Sequence, residues 1–222
     1  MRAQTLKLTV AGGVLLVPAL AHPSTAYEGT VHAAELLAKV RSCTRISHGS
    51  YRSDVGAPAD IPVCGTRGAV FWKADMDIDC DGRPGVRCNP NADPSFTSAT
   101  AYLQSDGRHL SAERLPFVVV PGVSARWNYR DYGIRGGTVA AVIYGGQVQY
   151  AVVGDVGPGE IIGEASYATA QRLGINPDPR RGGTASGVTY ILFKGSRVYP
   201  IEDHVGAVDE GERLARAFVQ RN

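Results

Sequence analysis

The sequence predicts a β-rich α+β fold in a single domain, with a helix near each end. Three observations carry this. Short apolar stretches bounded by Gly, Pro, Asn and Asp recur along the chain, as strands joined by turns do. Two of them, Thr138–Tyr144 and Gln147–Val153, flank Gly145-Gly146 and read as a hairpin. The longer helical patterns fall near the two ends, and neither repeats nor a linker between domains can be seen.

The first 26 residues stand apart from the fold. Arg2 and Lys7 form a basic start, Leu8 to Ala21 is apolar, and Ser24-Thr25-Ala26 offers a cleavage site. This is the pattern of a secretory leader cut before Tyr27, and its apolar run is short for a membrane anchor. The remainder, residues 27–222, is 196 residues long, enough for one domain with a sizeable core. Its 21 Lys+Arg balance 21 Asp+Glu. Such a balance argues against a nucleic-acid partner, which would call for a basic stripe. The expectation is an exported, extracellular monomer without a membrane segment after cleavage.

Thr30 is placed to cap a helix over residues 31–40. Polar, Gly/Pro-rich sequence continues to about Arg67, and Ala69–Ala74 reads as a strand. Residues 81–114 read as loop, Phe117–Val120 as a short buried strand, and Ser166–Leu173 as a short helix stopped by Gly174. Val188–Phe193 and Arg197–Ile201 read as further strands. Asp209 and Glu212 make a capping box for a last amphipathic helix.

The cysteines, Cys43, Cys64, Cys80 and Cys88, are even in number, which in an exported chain means two disulfides. Of three pairings, Cys43–Cys64 with Cys80–Cys88 is favoured, because the second pair staples the loop DGRPGVR. A zinc site is the rival, though no C-x-x-C is present.

Two acidic constellations carry candidate chemistry. Asp155 ends the apolar stretch YAVVG, and Glu164 stands nine residues later, before the short helix. Two acids held at a sheet rim can serve glycosidic hydrolysis, one as proton donor and one as activator of water. They can equally be two solvated loop acids. A helix start beside Glu164 would favour its ionised form, which opposes a proton donor's role. The second constellation is Asp75, Asp77 and Asp79, placed on one face if the strand from Ala69 continues. Three acids in a row repel unless a cation lies over them. Lys73 precedes them. DIDCDG also matches the start of a calcium loop, but its twelfth position is Cys88 rather than Glu. No metal or other cofactor is expected. Trp127 and Tyr129, in a Gly-flanked polar segment, are the best candidates for stacking on sugar faces.

On FWKADMDIDCDG, YAVVGDVGP and IIGEAS the chain resembles the chitosanases of glycoside hydrolase family 75, over essentially the whole of residues 27–222. The resemblance implies secreted endo-hydrolysis of β-1,4-linked glucosamine polymer with inversion at the anomeric carbon. It also implies that Asp155 and Glu164 are the essential acids. Glu164 is taken as the acid and Asp155 as the base. The polymer is polycationic, so the face of Asp75, Asp77 and Asp79 would bind its ammonium groups. The spacing D-x-G-x-x-x-x-x-G from Asp155 to Gly163 is similar to that of sugar-processing double-psi β-barrels, which implies a six-stranded barrel of that kind. The competing readings are a non-catalytic polysaccharide- or calcium-binding module and a peptidoglycan lytic transglycosylase needing one acid only.

Overall fold

Strand β3, Ala69–Asp79, organises the molecule because it changes partner half-way along. In the computed structural model, which describes residues 28–222, β3 first runs antiparallel to β8, Thr184–Phe193. The pairing slips between Ala74↔Val188 and Met76↔Thr184, where β8 uses four residues against two of β3. Beyond the slip β3 runs parallel to the three-residue strand β7, Glu164–Ser166. The predicted leader lies outside the described residues.

The remaining strands close the sheet. Strand β4 is Phe117–Pro121, β5 is Val139–Tyr144 and β6 is Gln147–Gly157. Around the barrel the order is β3-β7-β4-β6-β5-β8, and β8 pairs back to β3. The predicted six-stranded barrel is therefore closed, with parallel contacts at β3/β7 and β4/β6 and antiparallel ones elsewhere. Two short strands, β1 (Thr44–Arg45) and β2 (Cys64–Thr66), extend the sheet beyond the first half of β3. The β5–β6 hairpin turns at Gly145 and Gly146, whose φ values of 55° and 81° suit a tight turn matched to strand twist.

Alternate strand residues sort into two cores. One takes Val70, Trp72, Val118, Ala140, Ala151, Ala165 and Tyr190, and so draws on all six barrel strands. The other takes Phe71, Phe117, Ala141, Tyr150 and Ile191 and packs on helices α1 (Ala33–Lys39) and α3 (His204–Arg221) through Leu36, Ala215 and Phe218. The short helix α2, Tyr167–Arg172, is capped by the Ser166 side chain and followed by Gly174 at φ 71°. Both predicted disulfides are present, Cys43–Cys64 and Cys80–Cys88, which leaves no thiol for zinc. They fit a protein of an oxidising compartment. Among the described residues no helix is long and apolar enough to cross a membrane.

Three local readings need correction. Arg197–Ile201 is irregular and not a strand. Pro200 within it has no N–H to give a ladder. Helix α1 is capped from His32 rather than Thr30, and α3 begins at His204 under an Asp203 cap rather than at Asp209. The reason for the last two is one carboxylate. Glu212, expected in a capping box, instead accepts from the backbone N–H of Thr30 at 2.9 Å and of Val31 at 3.3 Å. It also takes the Thr30 hydroxyl, the Tyr150 hydroxyl at 3.1 Å and Arg216 Nε at 2.9 Å. The start of the described chain is thus tied to its last helix.

Burial raises the Glu212 carboxyl, but these donors outweigh burial and hold it down to about 2, against an ordinary 4.5. A lowered folded value means stabilisation that is complete above 4.5 and lost as the pH falls toward 2. Glu212→Gln is expected to cost about 1–3 kcal/mol at pH 7. Urea unfolding should show the gap to wild type narrowing at pH 3; a gap independent of pH would refute the assignment.

Candidate active site

The acids meet where β3 passes from β8 to β7. Register sets Asp77 opposite Glu164 and Asp79 opposite Ser166, with the Asp77 N–H donating to Gly163 O at 2.8 Å. Glu164 opens β7, two residues before the Ser166 cap of α2, so it does stand before the short helix; its carboxyl is nonetheless raised, because burial and the neighbouring acids outweigh that helix start. Asp155 arrives from β6. The β4/β6 pairing slips between Val118↔Val153 and Val119↔Asp155, which leaves Gly154 as the extra residue. Such a bulge re-aims the side chain after it. Gly154 must be small there, since a Cβ would stand 2.6 Å from Phe117.

Glycines also let the acids approach. At Gly157, two residues after Asp155, a Cβ would lie 3.2 Å from Glu164 Oε2. Gly163 has φ 117°, and a Cβ there would lie 2.1 Å from Asp75 Oδ1. Its backbone conformation and its contact both exclude other residues.

The three aspartates of β3 share the side of the strand opposite Ala74 and Met76, which enter the barrel core, but they differ in burial. Asp75 and Asp79 are buried and Asp77 is exposed. Asp79 turns to Asp81 and Asp155. The carboxylate oxygens of these three lie within 4.8 Å of one another. Asp79 Oδ1 accepts from the Asp81 N–H, and Asp81 Oδ1 from the Thr97 N–H, both at 2.6 Å. A calcium loop would have joined Asp77, Asp79 and Asp81, but β3 keeps Asp77 beside Glu164 instead. A cleft of about 280 Å³ opens over Asp77, Asp79, Asp81, Asp93, Glu164 and Arg180. It continues on one side into a depression over Asp54 and Asp75, and on the other past Pro179 toward Tyr167.

Crowding sets the protonation. Glu164 is half-buried, and burial with Asp77, Asp81, Asp155 and Asp75 pushes it to about 8. Burial, then Glu164 and Asp155, push Asp79 well up. Asp75 rises to about 7 through burial and Asp77. Asp155 is also raised by burial, but three groups oppose the rise. The N–H groups of Ala101 and Val156 each donate to its Oδ1 at 2.7 Å, and His109 adds a favourable field. Of the pair, Asp155 has the hydrogen bonds that hold a charge and Glu164 has the surroundings that hold a proton.

Two expected stacking residues are not available. Trp127 is 3% exposed and Tyr129 1%, and both belong to a core. Trp127 packs edge-on to Trp72 at 6.3 Å and to Tyr129 at 6.3 Å, so neither ring offers a face to a sugar. The glycines around them serve tight turns, such as Gly133 at φ 70°. Lys73 stays exposed on the β8-paired half of β3, before the strand reaches the acids. Sequence reasoning gave no site role to Asp81, Asp54 or Arg180, and it noted His109 among the histidines without assigning it one. Asp81 lies within DIDCDG, and its signal is its place directly after the strand that carries the other aspartates. The others come from distant loops with no local signal. Arg180 donates to Ala92 O and Asn91 O, each at 2.7 Å, and so joins the two loops that wall the cleft.

A profile of the family described as "Fungal chitosanase of glycosyl hydrolase group 75" matches residues 76–214, which include Asp77, Asp79, Asp81, Asp155 and Glu164. The chain belongs to this family. Among individual relatives, endo-chitosanase B of Aspergillus oryzae is 27% identical over 207 residues, covering 84% of this chain and 85% of that protein. An endo-chitosanase of Aspergillus fumigatus is 28% identical over 203 residues, with 84% and 85% covered. Endo-chitosanase C of Aspergillus oryzae is 34% identical over 138 residues, which is 60% of this chain and 33% of that protein, so the match spans about a third of that relative. Among solved structures, a Streptomyces papain inhibitor aligns at TM-score 0.36 and 18% identity, over 61% of this chain and 100% of its own. The strand pairings by themselves define the barrel.

A raised folded value for Glu164 works oppositely to Glu212. Its contribution to stability is complete below 4.5 and is lost as pH rises through about 8. Thermal melts of wild type should fall between pH 5 and pH 8.5. Glu164→Gln, which cannot ionise, should melt about 3 °C or more above wild type at pH 8.5. Parallel curves for the two proteins would contradict the raised value.

Proposed function

We propose that the protein is an exported, monomeric endo-chitosanase that hydrolyses β-1,4 glucosaminyl linkages by inversion, with Glu164 as general acid and Asp155 as general base. One observation carries the reading. Two neighbouring carboxyls have opposite environments, Glu164 in the cleft among other acids and Asp155, buried beside Asp79 and Asp81, under two N–H donors. Such divergence assigns acid and base within a pair. The family's description as chitosanases supplies the substrate class.

The polymer crosses the cleft over Asp77, with its ammonium groups facing the acids. Glu164, still protonated near neutral pH, gives its proton to the glycosidic oxygen as the bond to the anomeric carbon breaks. Asp155 takes a proton from the water that attacks the opposite face of the ring. Both backbone bonds fall on Asp155 Oδ1, which leaves Oδ2 to receive that proton. Asp79 and Asp81 sit against Asp155 and are raised, so their protons limit the charge that the cleft must carry. The rate should decline on the alkaline side through about 8, where Glu164 loses its proton. On the acid side it should decline above the ordinary aspartate range, as Asp155 gains one.

The test is release of reducing ends from chitosan, chitin and peptidoglycan. Chitosan should be cut, and Asp155→Asn and Glu164→Gln should each lose at least about 100-fold in kcat while remaining folded. Proton NMR of the first product should show the inverted anomer. Full activity in either variant defeats the assignment, and anhydro products from peptidoglycan would favour a transglycosylase.

A further inference from the structure

The two N–H groups on Asp155 differ in origin. Val156 follows Asp155 in the chain, so its bond is local. Ala101 stands 54 residues away, in the segment between β3 and β4. Ala101 is exposed, and its methyl group has no hydrogen bond to give, so its neighbours must hold that N–H in place.

Thr100 is the anchor. It is 4% exposed. Its hydroxyl donates to Tyr102 O at 2.7 Å and accepts from the Leu110 N–H at 3.1 Å. The His109 ring closes the arrangement, with Nδ1 lying 3.0 Å from Thr100 N and 3.1 Å from Thr100 O. With a lone pair on Nδ1 the ring takes the Thr100 N–H. With a proton there it donates to the Thr100 carbonyl. It grips Thr100 in either state. The ring sits on a small closed loop, where Leu103 bridges to His109 and the Gln104 N–H donates to Arg108 O at 2.8 Å. That loop is fastened beside the site. The Arg83 N–H donates to Leu110 O at 2.7 Å, and the Leu110 side chain lies over Gly154, the residue before Asp155.

The Thr100 carbonyl and the Ala101 N–H belong to one trans peptide unit. Such a unit is planar, and its C=O and N–H point in opposite directions. His109 therefore holds one edge of the plane whose other edge faces Asp155 Oδ1. A proton on Nδ1 also polarises the unit and strengthens the donor that Asp155 receives.

Resting on the acid–base reading, we infer that His109 is the positioning residue of the general base, clamping the Thr100–Ala101 peptide so that its N–H stays on Asp155 Oδ1 and Oδ2 is left for the attacking water. His109 lines neither the central cleft nor the depressions on its two sides, so it acts through the peptide and not on the polymer. The groups around Asp155 make this bond matter. Asp79 and Asp81 lie against it and Glu164 feels its charge, and all three oppose its ionised form. The two N–H groups and His109 are what favour that form.

The experiment compares His109→Ala, which removes the clamp, with His109→Asn, whose amide meets Thr100 where Nδ1 did but carries no charge. Two quantities are read: the pH dependence of kcat and KM on chitosan, and the carbon-13 NMR titration of the Asp155 carboxyl, identified by its loss in Asp155→Asn. In His109→Ala, kcat should fall about tenfold with KM little changed. The acid limb of kcat and the Asp155 midpoint should both move up by about one pH unit, because the charged form has lost a donor. His109→Asn should return both most of the way to wild type. Equal shifts in the two variants would mean that only the ring's charge acts, and unmoved titrations that nothing is held; either overturns the clamp. Should His109→Ala not fold, Thr100→Val keeps the shape, deletes the hydroxyl and should move the midpoint the same way; an unmoved midpoint there overturns the clamp equally. If wild type cuts no chitosan, yet the midpoint moves in His109→Ala and returns in His109→Asn, the catalytic reading fails and the clamp on Asp155 stands.

Discussion

Six carboxylates crowd together around the end of β3, four of them lining one cleft, and their mutual repulsion is the condition to which the rest of the site answers. Asp75, Asp77, Asp79, Asp81, Asp155 and Glu164 cannot all be charged at once at neutral pH. Protons must be shared out, and the surroundings decide where they reside. Glu164, facing four acids, keeps one. Asp155, with two backbone donors, is the member best able to give one up. A polycation entering such a cleft meets ready counter-charge, and the acids meet the partner that relieves their repulsion.

The barrel makes this crowding possible by two slips in register. At the first, β3 leaves β8 and delivers Asp77 and Asp79 alongside β7. At the second, β6 gains Gly154 and swings Asp155 toward the same place. Regular ladders would have sent these side chains elsewhere. Gly163 then permits a backbone contact with Asp75 that a methyl group would forbid, and Gly157 leaves room beside Glu164 that a methyl group would crowd. The stiffness of a closed sheet matters here, because repelling groups separate when their supports yield.

Much of this was legible from the sequence where the signal was local. The hairpin, β3, β4, α2 with its Gly174 stop and the disulfide pairing all follow from short patterns. The acids Asp155 and Glu164 are visible as residues, and Glu164 does precede α2, but the strand that carries it is not legible, because three residues leave no periodicity to read. Trp127 and Tyr129 looked exposed in a polar, Gly-flanked segment, but that segment folds its rings onto Trp72. Alternation along β3 holds, with Ala74 and Met76 in the core, but it does not foretell that Asp75 and Asp79 are buried while Asp77 is exposed, because that depends on the loops that cover them. Long-range partners such as Ala101 for Asp155, or Thr30 for Glu212, come from tertiary closure and leave no mark on neighbouring residues.

The Cys80–Cys88 bridge begins one residue after Asp79 and encloses Asp81. The Cys88 N–H donates in turn to Glu113, at 2.6 Å. The barrel strands do not depend on this link, but the turn that presents Asp81 to Asp155 does. A chain made in a reducing cytoplasm would therefore assemble its scaffold and still lack a braced active centre. The bridge thus couples the arrangement of the acids to the redox state of their surroundings, while the barrel beneath is held by its own ladder.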